Sequence, residues 1–334
     1  MLSNVGKSSE LVFQFQLRNQ LHIPYLKILR RNSMNPLCAA KNTLRQIRSV
    51  FRKWRVDREI QMKGEPVSTQ IRDAILSGKP LFVGRFGSIE IDALVQFEKI
   101  LTRKTQWSAD AFKNLKSNAG VFPLEYDVIN GFYEKYLESM PMLDVLGSWC
   151  SDEIRFHRRF SQALRVPLAD LEPYFHEVPW SSALEGKTVL VVHPFVRTIE
   201  RQYHGNWNKL FPHANVLPDF NLVTIEAIQC IGGNAEYSSW DEVYELMKSK
   251  IEAIDFDVAI LGCGAFGFPL AAHVKKMGRQ AIHLGGATQV MFGIKGKRWE
   301  SIPAISKFFN DYWCRPLNEE MPENALEIEG GAYW

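Results

Sequence analysis

The sequence predicts an α/β fold, a mostly parallel sheet with flanking helices, preceded by a basic helical N-terminal segment. Three observations carry this. Short apolar runs alternate with helical patterns from Pro66 onward, several of those runs end in glycine turns that open a helix, and a cationic stretch precedes them all.

The C-terminal half shows the alternation best. Thr188–Val192 reads as a strand running into His193-Pro194-Phe195, where proline stops ladder pairing. A helix is expected over 198–210, an extended piece over 215–220, and helices over 222–230 and 240–254. Asp257–Leu261 is a strand leading through Gly262-Cys263-Gly264-Ala265-Phe266-Gly267 into a helix that ends near Gly278, and Gln280–Leu284 is the next strand. Strands and helices at this spacing form βαβ units with right-handed crossovers. Further forward, a helix over 68–76 stops at Gly78-Lys79-Pro80, and Leu81–Val83 is a buried strand ending at Gly84-Arg85-Phe86-Gly87. Residues 106–180 offer helical stretches such as 128–137 and a strand at 143–146. They read either as a helical insertion or as part of one continuous unit.

The chain therefore divides into a basic segment, 1–62, and an α/β domain, 63–334. Between Lys27 and Arg58 lie ten Lys or Arg residues and a single acid, Asp57. Leu44, Ile47, Phe51 and Trp54 recur at helical spacing among the arginines, so this segment suits an anionic membrane surface, or else a helix docked on the body with its charges in water. The net charge of +3 is small for 334 residues, and no nucleic-acid partner is expected. Five scattered cysteines without a C-x-x-C pair give no zinc signature and suit a reducing compartment. No apolar run reaches the roughly 20 residues of a spanning helix and no signal-like stretch opens the chain, so the expected location is cytoplasmic, with peripheral contact on the inner face of the membrane.

Gly262-x-Gly264-x-x-Gly267 sits between a strand and a helix, where glycines let backbone N–H groups approach a phosphate. A dinucleotide site also needs an acid about 20 residues on to hold the ribose. The next strand ends in His283-Leu284-Gly285-Gly286 instead, so the loop reads as an anion cradle, the alternative being tight helix-on-strand packing. Gly285 and Gly286 form a second glycine-bearing strand end beside the first. Lys295, Lys297 and Arg298 follow, a cluster suited to a diphosphate, or to a solvated loop. No H-E-x-x-H, G-x-S-x-G or Walker loop is present, which disfavours zinc proteases, α/β-hydrolases and P-loop NTPases.

Val83-Gly84-Arg85-Phe86-Gly87-Ser88-Ile89-Glu90 resembles the arginine–aromatic–glycine–aspartate–glycine–glutamate signature of GT-D-type glycosyltransferases. The blocks at 192–195, 257–267 and 283–289, and the ending 329–334, resemble bacterial proteins of that fold associated with surface-polysaccharide synthesis. The resemblance spans roughly residues 65–334 and rests most on the order of the motifs. It implies a Rossmann-like domain that moves a sugar from a nucleotide-sugar donor to a glycan or lipid-linked acceptor. Glu90 would act as general base and Arg85 would orient the donor. The donor would be held by Gly87, Ser88, His193, Gly262, Gly264, Phe266, Gly267, His283, Gly285, Gly286, Gln289, Lys295, Lys297 and Arg298. The family's Asp-x-Glu pair implies a divalent cation, Mg²⁺ or Mn²⁺. Here Ser88 replaces the aspartate, which removes a hard oxygen ligand and leaves Glu90 as the remaining candidate. A catalytically idle scaffold or glycan-binding subunit, and a nucleotide-dependent oxidoreductase, are the alternatives.

Deleting residues 1–60 is expected to leave folding intact and to weaken binding to anionic vesicles at low salt, where screening is least. Equal flotation of the full and shortened chains would overturn this.

Overall fold

The computed structural model describes residues 51, 54–211, 215–234, 236–322, 325 and 330–334. Seven short runs pair in parallel, in the order β3-β2-β1-β7-β6-β4-β5. They are β1 (Leu81–Gly84), β2 (Val145–Ser148), β3 (Leu164–Pro167), β4 (Thr188–His193), β5 (Asn221–Glu226), β6 (Val258–Leu261) and β7 (Gln280–His283). The main helices are α1 (Glu65–Leu76), α2 (Ser88–Leu101), α3 (Lys113–Ala119), α4 (Tyr126–Ser139), α5 (Val196–Leu210), α6 (Trp240–Glu252) and α7 (Gly267–Lys276).

The central strands are apolar on both faces because both faces are covered. Alternate residues feed separate cores. Phe82, Leu190, Val192, Ala259, Leu261 and Ala281 join one cluster with α2, α4, α6 and α7. Leu81, Val83, Val189, Val191, Ile260 and Ile282 join the other with α1 and α5.

Helix α1 begins three residues before the expected start, since Pro66 fits the first turn, and it buries Val67, Ile71 and Ile75 along one face. The helix expected over 222–230 is not formed. Its Val223-Thr224-Ile225 run is β-branched and pairs with β4 as the edge strand β5, while 215–220 approaches it without ladder pairing. Residues 106–180 supply α3 and α4 and also β2 and β3, which extend the sheet from β1. The short edge strand β3 ends at Pro167, whose missing N–H is tolerated there.

Most of the basic segment lies outside the described residues, including Leu44 and Ile47. Residues 54–59 are helical, and exposed Trp54 carries the Arg58 guanidinium 4.8 Å from its ring centroid. No helix among the described residues is long and apolar enough to cross a membrane.

One buried amide ties α1 to the sheet. Gln280 at the start of β7 donates to the carbonyls of Ala74 (3.2 Å), Ile75 (3.1 Å) and Lys79 (2.9 Å), at a helix end and the turn after it, where Ala74 O also accepts from the Ser77 hydroxyl and Ile75 O from Gly78 N. Gln280→Leu keeps the volume and leaves those carbonyls without that partner. It is expected to cost about 1–3 kcal/mol in urea unfolding.

Candidate functional site

The carboxyl ends of β1, β7, β6 and β4 stand side by side, because Leu261 is level with both His283 and Val192, and Val83 is level with Ile282. Beyond them opens a cavity of about 570 Å³. Arg85, Gly87, Ser88 and Glu90 reach it from the turn between β1 and α2, and His193 from the end of β4. Gly262 and Gly264 follow from β6, His283, Gly285 and Gly286 from β7, and Arg298 from the later short helix Lys297–Glu300. The two glycine turns therefore border one space, as parallel sheets favour at their strand ends.

Arg85 is fixed by its neighbours. Its Nε donates to Phe86 O at 3.1 Å, and its guanidinium lies 5.1 Å from the Trp149 ring centroid. A Cβ built on Gly285 would stand 3.4 Å from Arg85 Nη1, so the arginine passes close over the β7 turn. Trp149 is anchored in turn, its Nε1 donating to the same Phe86 carbonyl at 2.9 Å. The loop that carries it is clipped by buried Glu153, which accepts from Trp149 N at 3.2 Å, from Cys150 N at 2.9 Å and from the Ser148 hydroxyl.

Glu90, in the first turn of α2, folds its carboxylate back over Gly87. A Cβ at position 87 would lie 1.7 Å from Glu90 Oε2, so only glycine leaves room for that resting place. Burial raises the Glu90 pKa, while Arg85 and its own backbone N–H pull it down.

Both histidines are neutral. Burial holds His193 down to about 3, and burial together with the Arg85 charge holds His283 down to about 3. A second acid, Glu172, lines the same cavity. Burial lifts it from the ordinary 4.5 to about 7, against the opposing pull of the Tyr174 hydroxyl, which donates to it, and of Arg85.

Other expected donor residues do not border the cavity. Phe266 stacks on Trp240 with ring centroids 5.2 Å apart, inside the core. Gly267 lies against the His283 ring, where a Cβ would stand 2.3 Å from Nδ1. Gln289 is a buried strut: it donates to Lys295 O at 3.0 Å and Tyr333 O at 2.8 Å and accepts from Trp299 Nε1 at 3.2 Å. Lys295 lies 5.6 Å from the Phe309 ring centroid, and Lys297 donates to Gly330 O at 3.2 Å, which leaves Arg298 to represent the basic cluster. Through the Gln289 strut, Tyr333 and Trp334 fold over to become cavity wall.

Sequence reading missed Trp149 and Glu172. Trp149 directly follows β2, and placing that strand at 143–146 hid the fact. Glu172 had no signal, since it lies in an irregular stretch brought in by the fold.

The carboxylates that line the cavity are Glu90 and Glu172, fewer oxygen ligands than an all-protein cation site supplies. Glu90 is one carboxylate beside a guanidinium, Ser88 is exposed, and no group of three His, Cys, Asp or Glu among the described residues is placed to hold a metal ion.

No family model and no curated protein matches the chain. Two solved structures do. One, described as a selenomethionine-substituted domain of unknown function 1792, is 14% identical, with a TM-score of 0.37 over 71% of this chain and 81% of that one. The other, described as showing that domain of unknown function 1792 has a distinct glycosyltransferase fold, is 17% identical, with a TM-score of 0.33 over 70% of this chain and 80% of that one. Likeness at this level says nothing about chemistry.

Glu172 makes stability depend on pH with a definite sign. Between 4.5 and about 7 the folded protein keeps a proton that the unfolded chain has released, so this group's contribution falls as pH rises through that window. Glu172→Gln keeps an acceptor for Tyr174 and cannot ionise. Its stability relative to the wild type is expected to climb across the same window and level off above it, as urea midpoints at a series of pH values would show.

Proposed function

We propose that this chain is a glycosyltransferase that takes a sugar from a nucleotide-linked donor and passes it to a hydroxyl of a glycan or lipid-linked acceptor. In this reading it works at the inner face of the membrane in surface-polysaccharide synthesis. One observation carries the chemistry: Arg85 and Glu90 border the same cavity as the two glycine turns of β6 and β7.

The roles follow from charge. A departing nucleoside diphosphate gains negative charge as the sugar bond breaks, and fixed cations lower that barrier most when they need not move. Arg85 is held between Trp149 and the Gly285 turn, and Arg298 donates to the Tyr333 hydroxyl at 2.9 Å, so both are held in place at the wall. The glycine turns let backbone approach the phosphates. The acceptor hydroxyl must lose its proton as it attacks the anomeric carbon, and Glu90 is the base in this reading. The aromatic walls, Trp149, Trp299 and Trp334, offer faces for a sugar or a base.

A second reading assigns the proton to Glu172. Its ionisation near 7 is matched to work at neutral pH, and it too feels the Arg85 charge. The oxidoreductase alternative finds no support at β7, which ends at His283, runs on into Leu284-Gly285 and presents no acid to a nicotinamide ribose.

Thermal melting against nucleotide sugars, nucleoside diphosphates and NAD tests the ligand class, because only a ligand of the native state raises the midpoint. Nucleotide sugars and diphosphates are expected to stabilise the protein, and NAD is not. Glu90→Gln is expected to lower turnover by about 10²–10⁴-fold with the melting midpoint preserved. A loss of that size in Glu172→Gln, with Glu90→Gln fully active, transfers the role to Glu172. Binding without turnover in the wild type would favour the idle scaffold.

A further inference from the structure

We propose that His193 and His283 act as a matched donor–acceptor pair that binds the hydroxyl groups of an uncharged ring, the sugar or ribose of a nucleotide-linked ligand. The proposal rests on the functional reading above.

The internal hydrogen bonds of the two rings fix opposite tautomers. Phe195 N donates to His193 Nδ1 at 2.9 Å, so Nδ1 carries the lone pair and Nε2 carries the proton. His283 Nδ1 lies 3.2 Å from Leu261 O, and a carbonyl only accepts, so Nδ1 carries the proton and Nε2 the lone pair. Each ring spends one nitrogen on the backbone. The other nitrogens, a donor on His193 and an acceptor on His283, belong to side chains that line the same cavity.

Their roots are two strand spacings apart, ~10 Å, with β6 between them. Both rings lean towards β6. His283 bonds the Leu261 carbonyl, and a Cβ at Gly262 would stand 2.6 Å from His193 Cδ2. That same absent Cβ would lie 2.8 Å from Thr288 Oγ1, and Thr288 is a fully buried residue whose hydroxyl has no hydrogen-bond partner among the described residues. Polar groups thus gather around the bare backbone of Gly262, and no carboxylate or cation is needed to satisfy a donor and an acceptor there.

A hydroxyl both donates and accepts, so it matches this pair, whereas a phosphate oxygen only accepts and would leave His283 Nε2 facing a like lone pair. Both imidazoles stay neutral, and burial is the main cause. Charge for phosphate comes from Arg85 and Arg298 instead, which line the same cavity.

Asparagine at either position tests the pair cleanly. Its side-chain amide reaches where Nδ1 stands, so His193→Asn still accepts from Phe195 N and His283→Asn still donates to Leu261 O, while the Nε2 group is gone. Calorimetry with UDP, UDP-glucose, GDP and GDP-mannose on the full chain supplies the readout. Each variant is expected to weaken binding about two- to tenfold. A loss confined to the nucleotide sugars places the pair on the transferred sugar, and an equal loss for the diphosphates places it on the ribose. Wild-type affinities in both variants, with melting midpoints unchanged, overturn the proposal. Nitrogen-15 spectra of histidine-labelled wild type decide it independently: His193 is expected protonated at Nε2 and His283 at Nδ1, and a shared tautomer for the two rings overturns it. A wild type bound by none of the probes removes the glycosyltransferase reading, while the spectra still judge the tautomers.

Discussion

Everything at the candidate site depends on the common register of four neighbouring strands. Parallel pairing of β1, β7, β6 and β4 levels their carboxyl ends, so residues separated by up to two hundred positions in the chain meet along one line. The register is set by faces as much as by hydrogen bonds. Slipping a strand by one residue would exchange the sets that feed the two cores, putting Phe82 where Val83 belongs and Val191 where Val192 does. Core packing therefore fixes where Arg85, His193, Gly262 and His283 emerge, and the site inherits its geometry from burial it takes no part in.

Arg85 is the electrical centre of that line. It bears on the ionisation of Glu90, Glu172 and His283 alike, drawing both acids down and pushing the imidazole further from protonation. Burial opposes it at the acids and exceeds it, which is why both carboxyl groups still sit above their ordinary values. A cation among partly desolvated acids and neutral imidazoles gives the cavity its polarity, with aromatic and aliphatic side chains in much of the remaining wall.

Much of this was legible in the sequence where local chemistry and tertiary role coincide. A strand stopped by glycine is such a place, so the turns after β1, β6 and β7 were found together with Arg85 and Glu90. Where the two part company, sequence misled. The 222–226 stretch has an apolar spacing that suits a helix, yet its β-branched run pairs with β4 as a half-exposed edge. Lys297 and Arg298 are neighbours in sequence, but successive helical residues point ~100° apart, so one faces the cavity while the other turns to the Gly330 carbonyl. Trp149 and Glu172 owe their places to β2 and to an irregular stretch beyond β3, which no periodicity marks.

The bare backbone at position 87 has a consequence for how such chains can diverge. The Glu90 carboxylate occupies the volume that any other residue's Cβ would take at 87, so the glycine and the acid three places later form a single coupled character. A side chain at 87 would turn the flexible Glu90 carboxylate out of this resting place, and losing the acid would leave that volume over the turn empty. Gly87 and Glu90 are thus to be read as one feature of the turn, while Ser88 between them is exposed and takes no part in it.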